Sequence, residues 1–253
     1  MKTTALPTPL LAALLSALLT SPCAMALEAA AVLKNADAFR TGGAQQQQVE
    51  TEVRVLNADG SLDKERRYTV LTQTEHRSLV LMRSPAEKGQ KVLMLGDDFW
   101  LLMPSSQRPL RITPLQKLLG DASTGDVATL SWSEDYSGEL QGEERCAEQA
   151  CLKLSLQATR KGVSYQRILL WVGKTRHQPL RAELYVQSDK LAKTAEFRYE
   201  KNEKGEQLIS EMLLQDALSQ RKLTQVRYVA RKTREAPEAW FNPMFLARSP
   251  NLE

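Results

Sequence analysis

Few residues in this 253-residue chain could carry chemistry. They are His76 and His177, the thiols Cys23, Cys146 and Cys151, and the adjacent carboxylate pairs Asp97-Asp98, Glu134-Asp135 and Glu143-Glu144. Nucleophilic hydrolysis needs a serine or cysteine beside a histidine that a carboxylate orients. Neither histidine sits near a nucleophile-elbow pattern: His76 follows Glu75 at a strand start, and His177 lies two residues before Pro179 in a turn. Glycosidases use two carboxyls held about 5–10 Å apart, but adjacent carboxylates in turns read as solubilising surface. There is no Walker loop, no dinucleotide-binding glycine fingerprint and no His-Glu-x-x-His. No catalytic residue, metal site or cofactor is therefore assigned, and the chain reads as a non-enzyme.

The first residues read as an export signal. Lys2 precedes an apolar run from Leu10 to Leu19, and Ala24-Met25-Ala26 places small residues where a signal peptidase cuts. The run is too short for the roughly 20 residues a membrane-spanning helix needs. Residues 1–26 are thus a signal peptide, 27–253 a single mature domain, and the expected location is the periplasm. Pro22 stands before Cys23 where lipidation wants a small residue, so cleavage after Ala26 is the favoured reading. Cys146 and Cys151 then remain in an oxidising compartment, where their spacing suits a disulfide at a hairpin tip better than a zinc site short of ligands. With 34 basic against 30 acidic residues, and the basic ones scattered in short clusters, the surface is mixed and no nucleic-acid footprint is present.

The elements that would position any site are mostly strands. Residues Leu27 to Phe39 have apolar positions near helical spacing, and Thr41-Gly42-Gly43 supplies the stop. Val49, Thr51, Val53 and Val55 then alternate with Glu50, Glu52 and Arg54, the period of a half-buried strand. Asn57-Ala58-Asp59-Gly60 turns the chain into a second strand from Leu62 toward Gln73. Similar short strands follow to Arg231, with turn signals such as Gly96-Asp97-Asp98 and Glu203-Lys204-Gly205 between them, so the chain reads as an antiparallel meander curled toward a barrel. Thr113 to Leu119 interrupts it with a short helix start and an apolar side, followed by a loop from Gly120 to Gly125.

Several strands are apolar on both alternating faces: Leu79-Val80-Leu81-Met82, Val92-Leu93-Met94-Leu95 and Phe99-Trp100-Leu101-Leu102-Met103. Such strands need two apolar environments. One is an ordinary core against a helix; the other is either a second covered core or a cavity whose Met and Leu side chains adapt to a lipid. The apolar Trp240 to Leu246 segment either packs back onto the sheet or docks a partner, packing being favoured.

Arg77-Ser78-Leu79-Val80, Ser84-Pro85-Ala86, Gly89 to Leu95, Asp97 to Pro104 and Arg108 to Ile112 together resemble the central pattern of outer-membrane lipoprotein-sorting proteins of the LolA-like superfamily. Leu170 to Lys174 and Pro179 to Tyr185 are similar to that family's later hairpin, and Leu33 to Arg40 and Phe245-Leu246 to its two ends. The resemblance implies a mainly β, α+β fold: a half-open antiparallel β-barrel of about eleven strands, with short helices over a concave apolar face. It also implies an acyl lipid or lipoprotein as guest. Relatives in this branch often accompany RND-type transporters, which makes such a transporter an expected partner of an otherwise monomeric protein. The chain departs from the pattern between Gly120 and Tyr136, next to the cavity cover, so the guest stays open. The Cys146/Cys151 pair lies outside the pattern.

The function expected is a periplasmic lipid or lipoprotein carrier, the alternative being a regulatory or adaptor module that binds a protein. Candidate cavity residues are Met82, Leu93, Leu95, Trp100, Leu102 and Trp132, with Leu115, Leu118 and Leu119 on the covering helix; the alternate face could be the lining instead. On this reading Leu102→Glu abolishes ligand retention and leaves β-sheet circular dichroism intact, whereas loss of folding marks the position as core.

Overall fold

The computed structural model describes residues 22–113, 131–217 and 222–248. It opens with helix α1 (Pro22–Thr41), which starts ahead of the expected Leu27 and so contains the expected cleavage bond. Gly42 (φ +62°) and Gly43 (φ +75°) end it in the left-handed region, and Gly42 N–H closes on the Ala38 carbonyl at 2.8 Å. The expected Thr113–Leu119 helix lies almost wholly outside the described residues, and Leu115, Leu118 and Leu119 lie entirely outside them.

Two meanders follow. The first runs through β1 (Gln47–Asn57), β2 (Leu62–Gln73), β3 (Arg77–Met82), β4 (Lys91–Leu95), β5 (Asp98–Leu102) and β6 (Leu110–Ile112). A one-turn helix, α2 (Trp132–Asp135), leads into the second: β7 (Tyr136–Cys146), β8 (Gln149–Ala158), β9 (Arg167–Gly173), β10 (Pro179–Tyr185), β11 (Leu191–Lys201), β12 (Gln207–Asp216) and β13 (Lys222–Thr233). Pairing of β1 with β13 joins them into one antiparallel sheet in the order β6-β5-β4-β3-β2-β1-β13-β12-β11-β10-β9-β8-β7. Among the described residues the sheet does not close, and β6 and β7 are its edges. The half-open barrel is therefore present, with thirteen strands among the described residues where about eleven were expected. Leu110–Ile112 is three residues long, too short to show a period of two in the sequence.

Alternation sorts the apolar residues onto two faces. Ala29, Val32, Leu33 and Ala36 of α1 lie on the inner face among Val53, Val70, Val80, Phe99, Leu154 and Leu170. Gly138 makes this approach possible, because a Cβ there would lie 2.9 Å from Leu33 Cδ1. On the outer face, Leu71, Leu79, Leu81, Leu93 and Leu102 are covered by Ala236, Phe241 and Leu246 of the C-terminal segment. That segment packs onto the sheet through two 3-10 turns, Glu238–Phe241 and Pro243–Arg248. Lys91 Nζ donates to the Leu246 carbonyl at 3.3 Å, and Gln73 Nε2 to that of Ala236 at 2.8 Å.

The sheet has a weak seam. β12 and β13 pair only from Glu211↔Arg227 to Gln215↔Leu223, although both strands run further. Each bulges at the point where pairing stops. Ser210 is the extra residue of β12 against β11, and Val229 that of β13 against β1, so the two strands part while keeping their outer neighbours. The free edge β7 also bulges, between Leu140 and Gly142, and carries Glu139, Glu143, Glu144 and Arg145, which discourages pairing with another chain.

Cys146 and Cys151 form the expected disulfide at the tip of the β7–β8 hairpin, with Cα atoms 5.8 Å apart. A loop this short gives about 2 kcal/mol of unfolded-state restriction in the chain-entropy account. The double substitution Cys146→Ser/Cys151→Ser is expected to lower the urea-unfolding free energy by about that much. Leu246→Ala, which empties a site under the C-terminal segment, should cost about 2–4 kcal/mol in the same assay.

Candidate functional site

The inner face between α1, α2 and the sheet is built around a carboxylate. Asp37 of α1, only 8% exposed, accepts hydrogen bonds from Trp132 N–H (2.9 Å), Ser133 N–H (2.8 Å), Ser133 Oγ (2.8 Å) and Ser131 Oγ (3.2 Å). It thus satisfies the open N–H groups of α2 and fixes that turn to α1. Ser131 adds a local cap by accepting from Glu134 N–H at 3.2 Å. The turn is too short to hold itself together, so its position depends on these contacts.

A second set of polar ties crosses the open side of the half-barrel. Asp135 of α2, 4% exposed, accepts from Arg160 Nε at 2.6 Å and lies 3.0 Å from His76 Nδ1. Arg160 Nη1 also reaches Asp97 Oδ1 at 2.6 Å, and Gly162 N–H donates to the same oxygen at 2.7 Å. His76 and Asp97 come from turns of the first meander; Arg160 and Gly162 come from the β8–β9 loop of the second. The network therefore latches the two meanders on the side where no strand joins them. Both histidines sit at positive φ, +55° for His76 and +57° for His177, and the second accepts from Asn35 of α1 at 3.0 Å. The His76 ring faces the carboxylates of Asp135 and, at 3.8 Å, Glu134.

Beneath α2 the face is apolar. Trp132, 6% exposed, meets Phe197 edge-on at a centroid distance of 5.8 Å, and the Arg40 guanidinium lies 4.1 Å from its ring centre. Below them is a void of about 50 Å³, walled by Tyr136, Tyr165, Ile168, Leu184 and Met212. A cleft of about 350 Å³ adjoins it between α1, α2 and the β2–β3 end, over Thr72, Ser78 and Met94. The Ser78 hydroxyl lines that cleft, is buried and has no hydrogen-bond partner among the described residues. Larger clefts of about 730 and 590 Å³ flank the β12–β13 split, but charged residues such as Glu52, Arg67, Arg198 and Glu211 line the first and Lys201, Glu203 and Lys232 the second. Their chemistry does not suit a hydrocarbon chain.

The structure divides the residues singled out in the sequence. Met82 and Trp132 face inward with the α1 core. Leu93 and Leu102 are buried under the C-terminal segment, with Leu95 and Trp100 packed against the same cluster. Their alternates Val92, Met94, Phe99 and Leu101 take the inner face. Leu102→Glu would thus place a carboxylate beneath Phe241 and Leu246, where the expected result is loss of folding and not a silent loss of ligand. Asp97 and Asp135 stand in the sequence as members of adjacent carboxylate pairs read as solubilising surface, whereas they are tied to Arg160; nothing in the sequence pattern points to Asp37, Arg40 or Arg160, whose types are common.

A family described as "Uncharacterized protein" matches residues 74–248. A LolA superfamily protein from Nitrosomonas europaea is 31% identical, with a TM-score of 0.77 over 85% of this chain and 97% of that one. Two more distant structures share the fold. A putative outer-membrane lipoprotein-sorting protein domain from Vibrio parahaemolyticus is 21% identical (TM-score 0.70, covering 88% and 100%). A DUF1329 family protein from Desulfovibrio piger is 22% identical (TM-score 0.69, covering 86% and 97%). No curated protein matches in sequence. The chain belongs to the LolA superfamily, as the residues quoted from its central strands and later hairpin imply.

Two measurements test the ties. Asp37→Ala leaves several buried N–H and O–H groups of α2 without an acceptor and should cost about 2–3 kcal/mol, with faster amide exchange at Trp132 to Asp135. Arg160→Ala leaves the buried Asp135 short of its cation and should cost about 3 kcal/mol in urea unfolding.

Proposed function

We propose that the protein is a periplasmic carrier that holds an acyl chain of a lipid or lipoprotein against the inner face of its half-barrel. One observation carries this reading: the apolar inner face is covered by α1 and α2, and α2 is held in place by polar contacts to Asp37, Arg160 and His76. Such contacts can be exchanged for water at small net cost, which an apolar seal cannot. The void under Trp132, about 50 Å³, is far below the roughly 300–1,000 Å³ of ordinary ligand sites. Cargo therefore enters by displacing α2 and Trp132, which merges the void with the adjoining cleft. Burying eight methylenes of a sixteen-carbon chain gains about 6 kcal/mol, enough to hold a lipid without any catalytic group.

The same reading takes residues 1–26 as a cleaved signal peptide and the remainder as one monomeric domain. The outer-membrane lipoprotein-sorting name of the Vibrio structure supports a role in lipoprotein transfer, and an RND-type transporter is the membrane partner we favour. One observation favours a second reading, an adaptor module: Met244 and Phe245 are 84% and 44% exposed on the C-terminal segment, an apolar pair that a protein partner could cover.

Native mass spectrometry with lipid extraction, on mature protein purified from its own periplasm without detergent, decides between them. A co-purified acyl lipid or lipoprotein is expected. An empty protein that also fails to bind a fluorescent fatty acid would overturn the carrier reading in favour of the adaptor.

A further inference from the structure

At the β2–β3 end of the inner face the strands carry hydroxyls in place of hydrocarbon. Ser78 of β3 stands opposite Thr72 of β2 on one side and Met94 of β4 on the other, and all three line the cleft of about 350 Å³ beside α1 and α2. Two residues further along β3 the same face presents Val80, which is sealed in the α1 core. Ser78 is only 3% exposed, yet its Oγ has no hydrogen-bond partner among the described residues. A buried hydroxyl in that condition costs free energy that an alanine would avoid. Charged groups around the cleft are engaged with one another. Asp37 accepts from the N–H groups of α2, Glu134 and Asp135 face His76, and Asp135 also binds Arg160. Arg160 is shared with Asp97, and Arg77 pairs with Glu75 and Glu238. Lys34 lines the cleft from the exposed side of α1, where water screens its charge. Ser78 thus offers a buried, uncommitted hydrogen bond to whatever occupies the cleft.

We propose that Ser78 donates to the ester carbonyl of an acylated cargo, so that the cleft receives the uncharged linkage between the acyl chain and its headgroup. The inference rests on the carrier reading and names the part of the cargo that this cleft takes. Ser131 and Asp135 border both the cleft and the void under Trp132. A cargo that displaces α2 therefore spans the two spaces, with hydrocarbon in the void and the linkage over Ser78. An ester suits this position, because its carbonyl accepts the one proton that a serine can donate and brings no charge into a half-closed space. Met94 beside it adapts to the adjoining methylenes. A free carboxylate suits it less well, since it would lie among Asp37, Glu134 and Asp135 with Arg160 already shared between two acids. The plain structural alternative is that Ser78 binds a water molecule as part of the fold, in which case the hydroxyl matters to stability and not to cargo.

Mature protein stripped of lipid is titrated at neutral pH with probes that carry the same fluorescent chain: an acylglycerol, the alkylglycerol ether that lacks its carbonyl, and the free fatty acid. The wild type should bind the acylglycerol about fivefold more tightly than either of the others, the worth of one buried hydrogen bond. Ser78→Ala should weaken acylglycerol binding by about the same factor, to the level of the ether. The urea-unfolding midpoint of the empty variant should stay level or rise, because no hydrogen bond within the protein is lost. Equal affinities for ester and ether in the wild type would overturn the Ser78 site and leave the carrier standing. So would tightest binding of the fatty acid, or an undiminished ester preference in Ser78→Ala. A fall in the unfolding midpoint of the variant would assign the hydroxyl to the fold, and the comparison of ester with ether in the wild type then decides alone. Failure of the wild type to bind any probe would overturn the carrier reading itself.

Discussion

β1 and β13 are neighbours in the sheet but stand at opposite ends of the strand order in sequence, and every other strand pairing is between consecutive strands. Their ladder runs from Gln47↔Thr233 to Asn57↔Lys222, interrupted only by the Val229 bulge. Without it there would be two separate meanders, each with its own exposed edges and half an apolar face. With it, the two meanders become one curved surface whose free edges, β6 and β7, fall at the far ends. The inner face that α1 and α2 cover exists only because this long-range pair forms, as does the open side that the Arg160 contacts cross.

The two coverings of the sheet differ in kind. On the outer face, Phe241 and Leu246 close over leucines, a contact that water cannot replace without loss. On the inner face, α1 is sealed by Val32 and Leu33 in the same manner, but α2 is positioned by carboxylates, hydroxyls and one guanidinium. Trp132 apart, α2 is thus held by the type of bond that water can make as well.

Much of the fold is legible in the sequence because the information is local. Val49 to Val55 shows its strand by alternation, Asn57 to Gly60 shows its turn, and Gly60 indeed takes φ +82°. Leu79-Val80-Leu81-Met82 announces two apolar environments, and two are found. Alternation is symmetric, however: it says that odd and even residues part, and it does not say which set meets α1. On that basis Leu93 and Leu102 join Met82 and Trp132 in the candidate lining, although the C-terminal segment takes the first two and the α1 core the others. The polar ties are illegible for another reason. Asp37 and Trp132 are 95 residues apart, and Arg160 and Asp97 are 63 apart. A lone acid in a helix and a lone arginine in a loop carry no pattern until the fold brings them together.

The outer cover has a consequence for how the chain is made. Synthesis proceeds from the N-terminus, so β2 to β5 are complete long before Phe241 and Leu246 leave the ribosome. Until then their outer leucines have no cover, and β1 has only one of its two partners, because β13 is also late. The first meander is thus a sticky half-product through most of translation, bare on one face and unpaired along one strand, the combination that makes nascent chains aggregate. A chain built in this order depends on being kept unfolded, or sheltered, until its last strand and final turns arrive together.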